Sequence, residues 1–317
     1  MKRCLYCYDE LGEEPSEFHK ACSRKIFGTP APPELTYSED QMLQLAEKVI
    51  RSQSTVTGVQ PKLSLHIEKI TKKHEPQRFT IVGLWGGYIL KPPTKQYKYL
   101  PELEDITMHL AEISDIEVVP HSLIRLNSGK LSYITKRIDR RNEIKIHMED
   151  MCQLTERLTD QKYNGSYEQI GKAIAKYSVN PGLDISNFFG QVLFSFLTGN
   201  ADMHLKNFSL IDNPDMGYIL SPAYDMLASS LVVEGDEEEL ALTLNGKKKK
   251  IRKKDFIEAI NRFNLDNKAV ENMFDKFKSS LNTWHNFIDI SFLPDEMKIT
   301  YHDLIRERAD RIYVDYP

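Results

Sequence analysis

The chain has 317 residues, 41% of them hydrophobic and 28% charged, with a formal net charge of −4 and four cysteines. This composition excludes disordered, collagen-like and disulfide-scaffold classes, and at about 150 residues per domain it provides for two domains or lobes. The longest apolar stretches, such as Val192–Leu197, fall well short of the ~20 residues a membrane span needs, and Met1-Lys2-Arg3-Cys4 lacks the apolar core of a secretory signal. A cytoplasmic protein with no membrane association is therefore expected, and its slight acidity argues against a general polyanion binder.

Three of the cysteines fall in the first 22 residues, as Cys4-x2-Cys7 followed by His19-x2-Cys22. A Cys-x2-Cys turn presents two thiolates together, and a second His/Cys pair completes a tetrahedron, so residues 1–30 read as a Cys/His knuckle with a candidate structural zinc site. The alternative is a metal-free knuckle whose cysteines pack inward. Cys152 has no ligand partner in sequence and reads as a buried small hydrophobe.

A Pro-rich linker, Gly28 to Pro33, precedes a run from Ser38 to Ile50 with a capping serine, early acids and apolar residues at helical spacing. Strand-like alternation follows over Pro61–Ile67, Arg78–Val82 and Gly87–Lys91, interrupted by one helix, Glu102–Ile113, with Leu103, Ile106, Leu110 and Ile113 on one face. Beyond Arg140 helices dominate: Met148–Leu158, Tyr167–Tyr177, Asp184–Leu197, Lys254–Phe263 and Asn267–Ile288. Within them Asn207–Ile211 and Tyr218–Pro222 read as a hairpin. The expected fold class is α+β: a small lobe over residues 31–135 with an antiparallel sheet, and a helical large lobe over residues 136–317, with a cleft between them.

The segment Gly199-Asn200-Ala201-Asp202-Met203-His204-Leu205-Lys206-Asn207 joins an apolar helix to a strand. An Asp with an Asn five residues on, entering a strand, suits phosphotransfer: the Asp accepts or orients a hydroxyl proton, and the Asn oxygen coordinates magnesium. Asp225, beyond the hairpin, would be the second magnesium ligand. Taken singly, each aspartate reads better as a cap or turn residue, and only the combination favours phosphotransfer.

Lys91 ends an apolar strand, where a buried ammonium needs an anion; Glu104 on the next helix and nucleotide phosphates are the natural partners, with Glu102 as a competitor. Upstream, Ser54-Thr55-Val56-Thr57-Gly58-Val59-Gln60-Pro61-Lys62 is the candidate phosphate loop. It has one glycine rather than three, but its hydroxyls could meet phosphate or be phosphorylated, adding up to about two negative charges.

Thr57–Lys62, Ile134–Arg140, Tyr163–Tyr167, Gly199–Asn207 and Tyr224–Leu227 resemble, in order, the blocks of the HipA family of bacterial toxin serine/threonine kinases, over roughly residues 50 to 246. The resemblance implies an atypical bilobal protein-kinase-like fold using ATP and Mg2+. By position, Asp202 resembles the catalytic base, with His204 supporting it; Asn207 and Asp225 resemble the magnesium ligands, Lys91 the ATP phosphate lysine and Glu104 its helix partner. The Lys136–Asp139 stretch resembles the segment whose backbone, at Lys136 and Ile138, holds adenine, with Asp139 reaching the ribose. Ser54 to Gly58 resembles an autophosphorylated loop, with Ser54, Thr55 and Thr57 as candidate acceptors.

The short knuckle stands where longer members carry an extra N-terminal subdomain, which resembles the HipT-like branch. That branch implies a separate small HipS-like partner protein, a helix-turn-helix antitoxin through which DNA is met indirectly, and a protein substrate such as an aminoacyl-tRNA synthetase. Lys136 departs from a position that is often acidic. Competing readings are a non-catalytic pseudokinase or adaptor and a small-molecule phosphotransferase. The basic run Lys247–Lys250 reads as a solvated turn in preference to a docking site for an acidic partner, and Glu234–Glu239 as a mobile acidic loop beside it.

Overall fold

The structure, a computed structural model, describes residues 2–313 apart from 14–15, 39, 43, 46–61, 69–76, 83–85, 142–143, 234 and 236. The chain divides into two units, residues 1–105 with 119–144 and residues 106–118 with 145–317.

The first unit begins with a tight hairpin. Arg3 bridges Glu10, and Cys4 N–H donates to the Asp9 carbonyl at 2.9 Å. Helix α1 (Lys20–Phe27) follows and stops at Gly28, whose φ of 78° is the left-handed conformation that glycine adopts without a Cβ penalty. Ser38 then caps the next helical turn: its Oγ accepts from Gln41 N–H at 3.2 Å while the Gln41 side chain accepts from Ser38 N–H at 2.9 Å. Most of the helix expected up to Ile50 lies outside the described residues.

Strands β1 (Leu63–Ile67), β2 (Phe79–Val82) and β3 (Tyr88–Lys91) form where alternation predicted them. Helix α2 (Leu100–Ile113) follows, then β4 (His121–Arg125) and β5 (Leu131–Lys136). The sheet is antiparallel throughout, in the order β2-β1-β3-β5-β4. An aromatic cluster seats α1 on it: Phe27 lies 5.8 Å from Phe79 and 6.2 Å from Tyr88, and Tyr88 Oη donates to the Ile26 carbonyl at 2.9 Å.

In the second unit, β6 (Met148–Asp150), β7 (Ser209–Asn213) and β8 (Gly217–Leu220) make a three-stranded antiparallel sheet in the order β8-β7-β6. The helices are α3 (Met151–Leu154), α4 (Tyr167–Tyr177), α5 (Pro181–Thr198), α6 (Lys253–Ile260), α7 (Asn267–Asp289) and α8 (Asp295–Ile312). Helix α5 is the core: Phe188, Phe189, Val192, Leu193, Phe194, Phe196 and Leu197 are each 0% exposed. A helix apolar all round must be covered all round, and α4, α7 and α8 pack against it. Among the described residues no helix is long and apolar enough to cross a membrane.

Three differences from the sequence reading have local causes. The helix expected over Met148–Leu158 is split. Met148–Asp150 pairs with Ser209–Ile211, and the Asp150 carboxylate accepts from Gln153 N–H, so the helix starts at Met151 and lasts one turn. Cys152 is buried on that turn. Helix α8 was not anticipated, because charged residues crowd its sequence and one core-facing position is itself charged: Tyr301, Ile305, Arg308, Ala309 and Ile312 are buried. The basic run is no bare turn either. Lys247 pairs with Asp255 at 2.6 Å, Lys248 with Glu238 at 2.9 Å and Lys249 with Glu237 at 2.8 Å, so the two charge runs engage each other.

Candidate active site

The first unit carries a buried cation at the end of β3. Lys91 faces Tyr133 across the β3–β5 ladder and is 3% exposed. Its ammonium is ion-paired with Glu104 Oε1 on α2 and lies 5.4 Å from the centroid of the Tyr133 ring. Glu104, itself buried, thus takes the lysine for which Glu102 was the competitor by sequence. Burial, reinforced by Asp105, pushes the Glu102 carboxyl up to about 7 instead. Drying an ion pair costs several kcal/mol per ion before it is repaid, so such a pair is better explained by a task than by stability.

Lys136 closes β5 with its side chain exposed, and Ile138 is half-buried. Arg137 N–H donates to the Gly87 carbonyl at 2.9 Å, and the Arg137 guanidinium grips both oxygens of Asp139 at 2.8 and 2.6 Å. Burial works against the Asp139 charge, but Arg137, helped by Arg140, outweighs it and holds the carboxyl below its usual range. Any contact of Asp139 with a ribose is therefore shared with Arg137. Ser54, Thr55, Thr57 and Gly58 lie outside the described residues.

The second unit gathers Asp202, His204, Asn207 and Asp225. Helix α5 ends at Gly199 with φ 70°, and Asn200 N–H returns to the Ser195 carbonyl at 2.8 Å. Ala201 N–H donates to Ser229 Oγ at 3.0 Å, and Ser230 N–H to the Gly199 carbonyl at 3.0 Å, so the loop leaves the helix already fixed. The Asp202 carbonyl accepts from His204 N–H at 2.8 Å and from Asn207 Nδ2 at 3.0 Å. With its amino end tied inward, the Asn207 amide keeps its oxygen as the group to offer a cation. The Asp202 carboxylate accepts from Tyr163 Oη at 2.6 Å.

His204 is buried, with the Tyr163 ring edge-on at 5.1 Å. Burial, against the pull of Asp202 and Asp225, pushes its imidazole down to about 4, so near neutrality it shapes the loop as an uncharged ring. Asp225 is half-buried and has φ 56°, a left-handed conformation that few residues other than glycine and Asn/Asp tolerate and that clusters at functional sites. The preceding Tyr224 fixes it: its hydroxyl donates to the Lys206 carbonyl at 3.0 Å and pairs with Ser209 Oγ. Lys206 in turn is held by Asp150 at 2.6 Å. An amide oxygen and a carboxylate are the hard oxygen donors magnesium takes, so this chain's residues fit that ion.

Sequence reasoning did not single out Tyr163, Lys206, Asp150 or Tyr224. Tyr163 opens the Tyr163–Tyr167 block, but its partner Asp202 is 39 residues away, a relation no local pattern reveals.

The knuckle residues also converge. The ligating atoms of Cys4, Cys7, His19 and Cys22 all lie within 4.8 Å of one another.

A sequence profile of the HipA-like C-terminal domain matches residues 54–284, which include Lys91, Glu104, Asp202, Asn207 and Asp225. A protein named "Putative kinase Y4dM" from Sinorhizobium fredii is 33% identical over 234 residues, 70% of this chain and 55% of that one. "Serine/threonine-protein kinase toxin HipA" from Shewanella oneidensis is 28% identical over 212 residues, 60% of this chain and 46% of that one. The chain thus spans about half the length of these curated relatives. The solved structure of Shewanella oneidensis HipA in complex with HipB and operator DNA matches with a TM-score of 0.64 at 21% identity, over 82% of this chain and 65% of that one. That likeness establishes an atypical kinase-like fold, and with the profile running through most of the sequence, the chain belongs to the family of HipA-like C-terminal domains.

Proposed function

We propose that this chain is an ATP- and magnesium-dependent serine/threonine protein kinase acting as the toxin of a toxin–antitoxin pair. The observation that carries the reading is the double restraint on Asp202, whose carbonyl is held by Asn207 and whose carboxylate is held by Tyr163. A base fixed in this way can accept the proton of a serine or threonine hydroxyl as that oxygen bonds to the terminal phosphorus of ATP and the bond from that phosphorus to the bridging oxygen breaks, releasing ADP. Lys91, set by Glu104, would bind the nucleotide phosphates. Asn207 and Asp225 would hold magnesium, which supplies positive charge against the phosphate oxygens. The Lys136–Asp139 segment would receive adenosine, with adenine on backbone groups at Lys136 and Ile138.

The toxin role is supported by the name of the Shewanella oneidensis relative and by the HipB and operator DNA that accompany its structure. By the same reasoning this chain meets a helix-turn-helix antitoxin, and DNA through it, together with a small HipS-like protein. It inhibits translation in the cytoplasm by phosphorylating a protein such as an aminoacyl-tRNA synthetase, and it phosphorylates its own Ser54–Thr57 loop. The test is incubation of the full chain with labelled ATP and magnesium. Phosphate should appear on Ser54, Thr55 or Thr57 and be lost in Asp202→Asn; a wild type that neither binds ATP nor gains phosphate sinks the reading.

A further inference from the structure

Two distances in the Cys4–Cys22 cluster match those expected between ligands of a zinc ion. Tetrahedral zinc bonded to sulfur at ~2.3 Å and to imidazole at ~2.05 Å sets its S and N ligands about 3.6 Å apart. Here Cys7 Sγ and His19 Nδ1 are separated by 3.4 Å, and Cys22 Sγ and His19 Nδ1 by 3.9 Å. An independent feature fixes which nitrogen faces the thiols. His19 Nε2 lies 3.1 Å from the Glu10 carbonyl, an acceptor only, so Nε2 carries the proton and Nδ1 presents its lone pair to the sulfurs. This is the outer-shell arrangement that orients zinc-bound histidines. The supporting scaffold is rigid: Cys4 and Cys7 lie on one hairpin turn, His19 is the N-cap of α1 and Cys22 sits in its first turns.

The knuckle is also wired into the first unit. The Leu5 carbonyl accepts from Leu123 N–H at 3.2 Å and from Ser122 Oγ at 3.0 Å, which covers β4, an edge strand. Tyr8, adjacent to Cys7 and held at φ 65°, donates its buried hydroxyl to Asp105 Oδ2 at 2.7 Å. The other oxygen of Asp105 meets His121 Nδ1 at 2.7 Å. His121 stacks on Tyr133 at 5.9 Å, and the Tyr133 ring lies beneath the Lys91 ammonium. Asp105 itself is the residue after Glu104.

We propose that Cys4, Cys7, His19 and Cys22 hold one zinc ion and that the metal-held hairpin braces the Lys91–Glu104 pair through Tyr8, Asp105 and His121. The brace rests on the reading of that pair as the nucleotide anchor; the metal site does not. Tyr8 is accordingly a positioning residue.

Metal analysis of the full chain purified without chelator should find about one zinc per chain, retained in Cys152→Ser and lost in Cys22→Ser. Should Cys22→Ser fail to fold, the wild-type chain with cobalt in place of zinc gives a second reading, the intense visible absorption of tetrahedral thiolate-bound cobalt. Wild-type protein that carries no zinc and takes up none from added zinc salt, or a weak octahedral cobalt spectrum, overturns the site. Tyr8→Phe keeps the ring and should keep the zinc while raising the KM for ATP about three- to tenfold with kcat nearly unchanged, as loss of one positioning hydrogen bond implies. A zinc-replete Tyr8→Phe with wild-type KM overturns the brace. Zinc-loaded wild type that does not bind ATP fails the nucleotide reading and the brace together, and leaves the metal site standing.

Discussion

The ammonium of Lys91 and the carboxylate of Glu104 form an ion pair in which both residues are at most 3% exposed. The two partners cannot be removed singly at low cost, because the survivor becomes a buried charge. Lys91→Met should destabilise the chain by about 3–5 kcal/mol, while Lys91→Met with Glu104→Leu should recover most of that loss. Neither variant should bind ATP. Denaturant unfolding beside nucleotide titration separates the two effects, and equal stability of the single and double variants would count against the pair as drawn.

Asp202 and Tyr163 make a contrasting pair, since Tyr163 is 42% exposed and contributes little to the core. Asp202→Asn keeps an oxygen for the Tyr163 hydroxyl but loses the base, so phosphotransfer should fall by about 10²–10⁴ with the fold intact. Tyr163→Phe removes one hydrogen bond to a charged group and should cost about tenfold in rate. Its unfolding free energy should stay within about 0.5 kcal/mol of wild type. A Tyr163→Phe enzyme as fast as wild type would show that the carboxylate needs no such restraint.

Gly199 tests how the loop that carries Asp202 leaves α5. Its φ of 70° disfavours any side chain, and a Cβ there would meet Leu304 Cδ2 at 2.6 Å. Gly199→Ala should lose about 1–3 kcal/mol and most of the activity, because strain and clash act where the loop leaves α5. Gly182→Ala, on the same helix with open space around it, should be neutral or gain up to about 1 kcal/mol. Thermal unfolding of the two variants side by side is the measurement, and equal melting points would discard the account of the loop.

What the sequence made legible was the local part. Strands β1 to β3 alternate, α4 and α7 carry apolar residues at helical spacing, and Asp202 and Asn207 share one short loop. What it hid depends on partners distant in the chain. Met148–Asp150 looks helical until β7 pairs with it, and the charge-crowded sequence of α8 hides its core face, because one buried position is Arg308, packed against Phe196, whose ring lies 5.1 Å from the guanidinium carbon. The choice of Glu104 over Glu102 was undecidable by spacing, because both lie on one helical turn and only the direction of the buried face separates them.

His285 supplies a pH dependence. Burial, with His302 and Arg306 adding to it, pushes its imidazole from the ordinary 6.5 down to about 4. Between these values the unfolded chain holds a proton that the folded chain refuses, so stability falls as pH drops through the window, and the penalty from this one ring is complete below its lower end. For a partly exposed ring the effect is on the order of 1–2 kcal/mol after screening. His285→Gln should therefore lose less stability than wild type between about pH 7 and about pH 4.5 in urea unfolding. Parallel losses in the two proteins would refute the assignment.

Glu239 is the last such test, because it joins three segments. Its carboxylate meets Arg308 at 3.0 Å and Arg311 at 2.6 Å and accepts from Ile251 N–H at 2.9 Å. Burial opposes its charge, but Arg311, the Ile251 amide and Arg308 outweigh that and hold the carboxyl below its usual range. Glu239→Ala would leave Arg308, 8% exposed, as a buried cation facing a second one, at a cost of about 3–5 kcal/mol. Glu237→Ala removes only an exposed ion pair with Lys249 and should leave the unfolding midpoint of the wild type unchanged. The contrast has a functional side: Lys248 and Lys249 are already neutralised by Glu238 and Glu237, so an acidic partner must break those pairs to dock there. Glu237→Lys should therefore strengthen capture of a polyanion such as heparin measurably at low salt, and no change in retention would show that the basic run is already free to bind.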